Sequence, residues 1–185
     1  MILGLDISTS TVGFTLMNLT GGVEYIGYTK PTGDNQFEKV ESAFNCISKV
    51  VQSHVISNGP ITSIYAEAPN IMFRTGFSSA QTLAIILRFN GALLFTLYRH
   101  FGILPKEAMA VSMRKQVIGI GRFKVNPKDE ILRWVNLQIP TTNWPQIAKG
   151  KNKGKLSTEC YDMADSYIVA RYGLIHERGD STDKN

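Results

Sequence analysis

The sequence predicts an α/β protein with a mixed five-stranded sheet flanked by helices. Three observations carry this. Short apolar runs open the chain at Ile2 to Leu5, Val12 to Met17 and Val23 to Thr29, separated by turn signals at Ser8 to Thr11 and Gly21-Gly22, the pattern of an antiparallel meander. A further strand-like run, Ile61 to Ala66, follows a helical segment, and a strand returning after a helix implies a parallel crossover. The remaining chain alternates helical periodicity with one short strand, giving the order β-β-β-α-β-α-β-α-α-α.

Each element has a local cause. From Asp34 to about Ser57, apolar residues recur at Phe37, Val40, Phe44, Ile47, Val51 and Val55, one face of a helix that Asp34 or Asn35 can cap. Asn58-Gly59-Pro60 breaks it, and the next strand runs to Glu67. Ser78 with Gln81 forms a capping box for a long helix from Ser79 to His100, which Gly102 ends. That helix is apolar nearly all round, so water suits none of its broad faces, and a partner subunit is expected on one of them. A short strand is placed at Ala108 to Val111, then a brief helix capped by Ser112 and closed at Gly119-Ile120-Gly121. Asn126-Pro127 opens a helix to about Gln138. Pro140 to Leu156 reads as loop, Thr158 starts a last helix ending at Gly173, and residues 176–185 read as a polar tail behind a single domain over 1–175.

Composition limits the function. With 185 residues, 43% of them hydrophobic and 19% charged, the chain fits one compact unit and not a two-domain enzyme. Its 20 basic and 15 acidic residues leave a net charge of +5, a prior for a polyanionic partner that gains weight where the cations cluster. Cys46 and Cys160 lack metal-site or disulfide-framework spacing, which suits a reducing compartment. Asp6 interrupts the apolar start, so no secretory leader is read, and Arg88 and Asn90 break the longest apolar stretch. No membrane association is expected; the location expected is the cytoplasm.

Four carboxylates stand where strand ends and a helix face would collect them. Asp6 and Glu67 each end an apolar strand, and those strands are neighbours in a crossover arrangement. Asp162 and Asp165 are spaced i,i+3 on one face of the last helix. Singly, Asp6 also reads as a turn residue and the helix pair as an acidic first turn. Together they form an all-oxygen donor set that favours Mg²⁺, with Mn²⁺ as substitute, over Zn²⁺. Two such ions ~3.5 to 4 Å apart clamp an in-line displacement at phosphorus. Basic residues cluster around these positions. Lys149, Lys151, Lys153 and Lys155 form a mobile cationic loop beside the acidic helix, and Arg114, Lys115, Arg122, Lys124 and Lys128 form a second stretch. The segment Asn70 to Phe77 puts Met72, Phe73, Arg74 and Phe77 directly after Glu67, as core anchors or as wedges at a distorted DNA site.

These residues resemble the RuvC-type Holliday-junction resolvases of the ribonuclease H-like superfamily. The resemblance runs over about residues 2–172 and rests on Ile2-Leu3-Gly4-Leu5-Asp6 with Ser10 to Phe14, on Ala66-Glu67, on Val117 to Gly121 and on Asp162-Met163-Ala164-Asp165-Ser166. It implies a ribonuclease H-like fold in which Asp6, Glu67, Asp162 and Asp165 bind two Mg²⁺ ions and hydrolyse DNA strands. It further implies that Phe73 inserts at the junction centre, that Lys124 or Lys128 lies near the scissile phosphate, and that the apolar helix around Ser79 to His100 joins a homodimer on branched, four-way DNA. The lysine-rich segment 140–156 is longer than in typical bacterial members, Pro69 and Asn70 extend the loop before Phe73, and Asp162 stands where many members have His. The long segment points to a phage or viral branch. Two other enzyme readings compete. A ribonuclease H-like nuclease on RNA or RNA–DNA hybrids shares these carboxylates, whereas the actin-like ATPases share the Gly4 to Ser10 opening but need two lobes. A non-catalytic junction-binding protein is the reading from another class.

Overall fold

The computed structural model describes residues 1–69, 80–123 and 126–179. Its elements are β1 (Ile2–Ile7), β2 (Val12–Met17), β3 (Val23–Thr29), α1 (Gln36–Asn58), β4 (Ser63–Glu67), α2 (Ala80–Phe101), β5 (Lys106–Ala108), α3 (Ala110–Ile118), α4 (Pro127–Gln138) and α5 (Glu159–Gly179). They form one five-stranded sheet in the order β3-β2-β1-β4-β5. β1, β2 and β3 are antiparallel neighbours, while β1–β4 and β4–β5 are parallel. The meander and crossover expected from the sequence are both present.

The alternation of side chains in β1 divides the core into two layers. Leu3, Leu5 and Ile7 face α1 and α2, joining Val40, Ile47, Phe89, Leu93 and Leu97. Ile2 faces the other way, toward Tyr65, Ile131, Met163, Ile168 and Ala170 beneath α3, α4 and α5. Each fully buried Leu or Ile of this kind contributes roughly 1.5–3 kcal/mol. The α1 start is capped reciprocally: Asn35 Oδ1 accepts from the Phe37 and Glu38 N–H groups, and the Glu38 carboxylate accepts from the Asp34 N–H at 2.7 Å.

Three boundaries differ from the sequence reading. β5 pairs with β4 through Lys106 to Ala108, so it lies earlier than the expected 108–111, and α3 begins at Ala110 behind Met109 instead of a Ser112 cap. α5 continues six residues past Gly173, so 176–179 are its final turn and not tail; residues 180–185 lie outside the description. The extension has partners. Glu177 accepts from Tyr65 Oη at 2.9 Å and Lys106 Nζ at 3.0 Å, Arg178 donates to the Leu19 carbonyl, and His176 lies 4.3 Å from the Tyr172 ring. Finally, 140–156 is not a free loop: Gln146 bridges to Leu156, and buried Trp144 donates through Nε1 to Asn136 Oδ1 at 2.8 Å.

α2, 22 residues long with an 18-residue stretch of mean hydropathy 1.4, has the length and composition to cross a membrane. Phe89, Leu93, Leu94 and Leu97 instead bury one face in the α1 layer, which leaves Leu87, Gly91, Phe95 and Tyr98 as an exposed stripe at helical spacing.

Candidate active site

Parallel pairing of β1 with β4 sets Leu5 beside Ala66, so Asp6 and Glu67 follow next in register at the carboxyl ends of adjacent strands. Both point to the face that α5 covers. α5 lies unusually close there because Gly13, opposite Asp6 in the β1–β2 ladder, has no side chain: a Cβ at that position would fall 2.0 Å from the Asp162 carbonyl oxygen. Farther along, a Cβ on Gly4 would fall 2.4 Å from the Ala170 nitrogen. The helix register is pinned by a buried hydrogen bond between Thr15 Oγ1 and Ser166 Oγ at 2.8 Å, one residue beyond Asp165. Absent side chains on the sheet thus hold Asp162 and Asp165 over Asp6.

The four carboxylates act on one another electrostatically. Burial, with Asp165, Glu67 and Asp162 next in effect, pushes the Asp6 carboxyl well above the ordinary aspartate range. Burial and then Asp165 raise Glu67 to about 7, and burial, Asp165 and Glu159 raise Asp162 to about 6. Asp165 is raised as well, by burial, against the opposing pull of Arg114 and Lys128. Burial is the largest cause at all four, and repulsion from neighbouring carboxylates adds to it at Asp6, Glu67 and Asp162. Lys128 opposes the shift at each of the four and also lies 5.6 Å from the Tyr161 ring centre.

The sequence placed Arg114 only in a basic stretch, and the structure puts it beside the carboxylates. It projects from α3 with Nη2 3.4 Å from Asp165 Oδ1, and with Arg122 and Glu67 it lines a cleft of about 810 Å³ completed by Met109, Val111, Phe123 and Pro127. Its position five residues before the left-handed Gly119 was a signal, but the face it occupies depends on where α3 begins.

Buried carboxylates with raised proton affinity and no His or Cys among them fit a hard divalent cation such as Mg²⁺ or Mn²⁺. Among the described residues, however, no three His, Cys, Asp or Glu side chains already converge as ligands of one ion, and the Arg114 guanidinium supplies part of the countercharge. The expected lysine loop does not lie among these charges. Among the described residues, those that perturb the carboxylates are one another, Arg114, Lys128 and Glu159; Lys149, Lys151, Lys153 and Lys155 are absent from that set and stand exposed on their own hairpin. The expected roles of Phe73, Arg74 and Lys124 concern positions outside the described residues.

The fold is a ribonuclease H-like α/β fold, a mixed five-stranded sheet flanked by helices. Solved structures that share it include Holliday junction resolvases. The Thermus thermophilus RuvC structure matches at a TM-score of 0.62 and 13% identity, covering 96% of each chain. T. thermophilus RuvC in complex with a Holliday junction substrate matches at 0.64 and 12%, covering 97% of this chain and 96% of that one. The yeast mitochondrial Holliday junction resolvase Ydc2 matches at 0.51 and 16%, covering 98% and 83%. No family model and no curated protein matches the sequence.

Proposed function

We propose that the protein is a metal-dependent endonuclease that cuts four-way and other branched DNA, each subunit nicking one strand to leave 5′-phosphate and 3′-hydroxyl ends. The observation that carries this reading is the placement of Asp6 and Glu67 at the ends of paired parallel strands under a closely packed α5 that carries Asp162 and Asp165, where the four carboxylates and Arg114 act on one another. These four side chains would hold two Mg²⁺ ions, or Mn²⁺ in their place. What such ions supply when bound is a lowered water pKa and charge neutralisation at phosphorus. The protein's own groups do the rest. Lys128 and Arg114 flank the acids and draw the phosphate backbone toward them, Arg122 holds the adjoining nucleotide along the cleft, and the shielding that buries Asp165 limits bulk water. The neighbour solved with a Holliday junction supports branched DNA as the substrate class. Comparing cleavage of a four-way junction, a linear duplex and an RNA–DNA hybrid tests the choice: the junction should be cut fastest, and a preference for the hybrid would favour the ribonuclease reading.

A homodimer through α2 completes the proposal, since two sites related by a two-fold axis match a two-fold symmetric junction. Phe95 is 61% exposed and Tyr98 40%, while open space over Gly91 lets a second helix come close. Phe95→Asp is therefore expected to shift the protein from dimer to monomer in sedimentation analysis, with little change in melting temperature because the side chain contributes little to the subunit core. Junction resolution should fall with it.

A further inference from the structure

The net charge of the chain comes from one place. Between Glu130 and Glu159 there is no acidic residue, while Arg133, Lys149, Lys151, Lys153 and Lys155 lie in that span; without these five, the chain has 15 basic and 15 acidic residues. Four of the five are on one ordered hairpin. Ile147 N–H donates to the Lys155 carbonyl at 2.8 Å, Gly154 N–H to the Ile147 carbonyl at 2.9 Å and Lys153 N–H to the Gly150 carbonyl at 3.1 Å. Gly150 and Gly154 adopt the positive φ values of +85° and +84° that the tight tip needs. The base is fixed to the core: Ser157 N–H donates to the Pro145 carbonyl at 2.9 Å, next to buried Trp144. All four lysines are exposed and none has an ion pair among the described residues, although Lys155 Nζ donates to Asn152 Oδ1 at 3.2 Å.

We propose that this hairpin, residues 146–156, is a second DNA-binding site that holds the phosphate backbone of an ordinary duplex arm, apart from the acidic centre and without regard to branching. The choice of ligand follows from side-chain chemistry. Lysines are point charges that bind phosphates without the bidentate geometry that arginine uses to read guanine. No aromatic residue lies in 146–156 to stack on single-stranded bases, and the tip 148–155 carries no large apolar side chain to enter a bilayer. A hairpin already held by backbone hydrogen bonds loses little freedom on binding. It supplies affinity without selectivity, so its removal should sharpen the preference for a junction over a duplex. The proposal rests on the nuclease reading for its biological setting, but the binding test does not depend on cleavage.

The test compares the full-length protein with a variant carrying Lys149→Gln, Lys151→Gln, Lys153→Gln and Lys155→Gln, and with one carrying Arg at the same four positions. Affinity for a linear DNA duplex is measured by fluorescence anisotropy across a salt series. The Gln variant should bind the duplex about 10- to 100-fold more weakly near 100 mM salt, with the log–log salt slope reduced by about two to four. The Arg variant should retain both values, showing that charge and not folding is read. Single-turnover cleavage of a junction at saturating protein should stay within about threefold of wild type, because none of these lysines is among the charges that act on the carboxylates. An unchanged salt slope overturns the proposal, as does tighter lysine-dependent binding to phosphatidylserine vesicles or to an RNA duplex than to DNA. Loss of saturated cleavage with duplex binding intact also overturns it, by placing the lysines in the acidic site. If wild type cuts no junction while the slope still follows the lysines, the nuclease reading fails and the hairpin site stands.

Discussion

Asp6→Asn should abolish junction cleavage, by at least about a thousandfold, while leaving junction binding within a few-fold of wild type. Asp6 sits in the middle of the acidic cluster, flanked by Glu67 in register on β4 and by Asp162 and Asp165 on α5. Groups that act as one unit lose nearly all activity when one member is removed. The same substitution should stabilise the metal-free protein at pH 8. The site's carboxyls bind protons more tightly in the fold than in the unfolded chain, so the stability they add is complete below about pH 4 and is lost as pH rises through about 6 for Asp162 and about 7 for Glu67. For half-buried Glu67 alone, this loss is on the order of 3 kcal/mol. Melting temperature without divalent cations should therefore fall from pH 5 to pH 8, Mg²⁺ should reverse the fall, and Asp6→Asn, which removes one of the repelling charges, should flatten it. An unchanged melting profile across that range would show that the carboxylates are not under mutual strain.

Gly13→Ala should be nearly as damaging to activity while leaving every carboxylate in place. A methyl group at Gly13 would fall 2.0 Å from the Asp162 carbonyl oxygen and 2.4 Å from its carbon, and backbone atoms cannot rotate aside as a long side chain can. Either α5 lifts from the sheet or β2 bends. Overpacking of this kind typically costs about 1–3 kcal/mol, and the displacement moves Asp162 and Asp165 away from Asp6. An ångström of misplacement at a reacting centre costs on the order of a hundredfold in rate. Chemical denaturation and single-turnover cleavage would measure the two effects separately. Gly59→Ala is the control for backbone strain: its φ is +79°, but open space surrounds it, so it should lose stability without a comparable loss of rate.

Much of this arrangement was legible in the amino-acid sequence. The runs 12–17 and 23–29 are β2 and β3 to the residue, because their turns are local and their alternation is intact. Asp6 and Glu67 could be placed side by side because a parallel crossover brings strand ends together. What the sequence misread was set by distant partners. Gly173 looked like a helix stop, yet it sits inside α5 because a Cβ there would fall 2.6 Å from the Tyr65 ring. β5 was displaced because three residues of edge strand carry no periodicity of their own and take their register from Tyr65 to Glu67. That shift also hid the face of α3 on which Arg114 meets Asp165. The lysine segment read as a mobile loop because its order comes from main-chain hydrogen bonds and from the anchoring of Trp144 and Pro145, none of which alternating Gly and Lys reveal.

The most direct measurement is the mapping of products from a four-way DNA junction of fixed sequence, incubated with the protein with and without Mg²⁺. Paired nicks at symmetric positions in opposing strands, bearing 5′-phosphates and appearing only with the metal, are the expected result. A junction that is bound and remains intact with both Mg²⁺ and Mn²⁺, or one cut equally well in the presence of a chelator, would contradict the account.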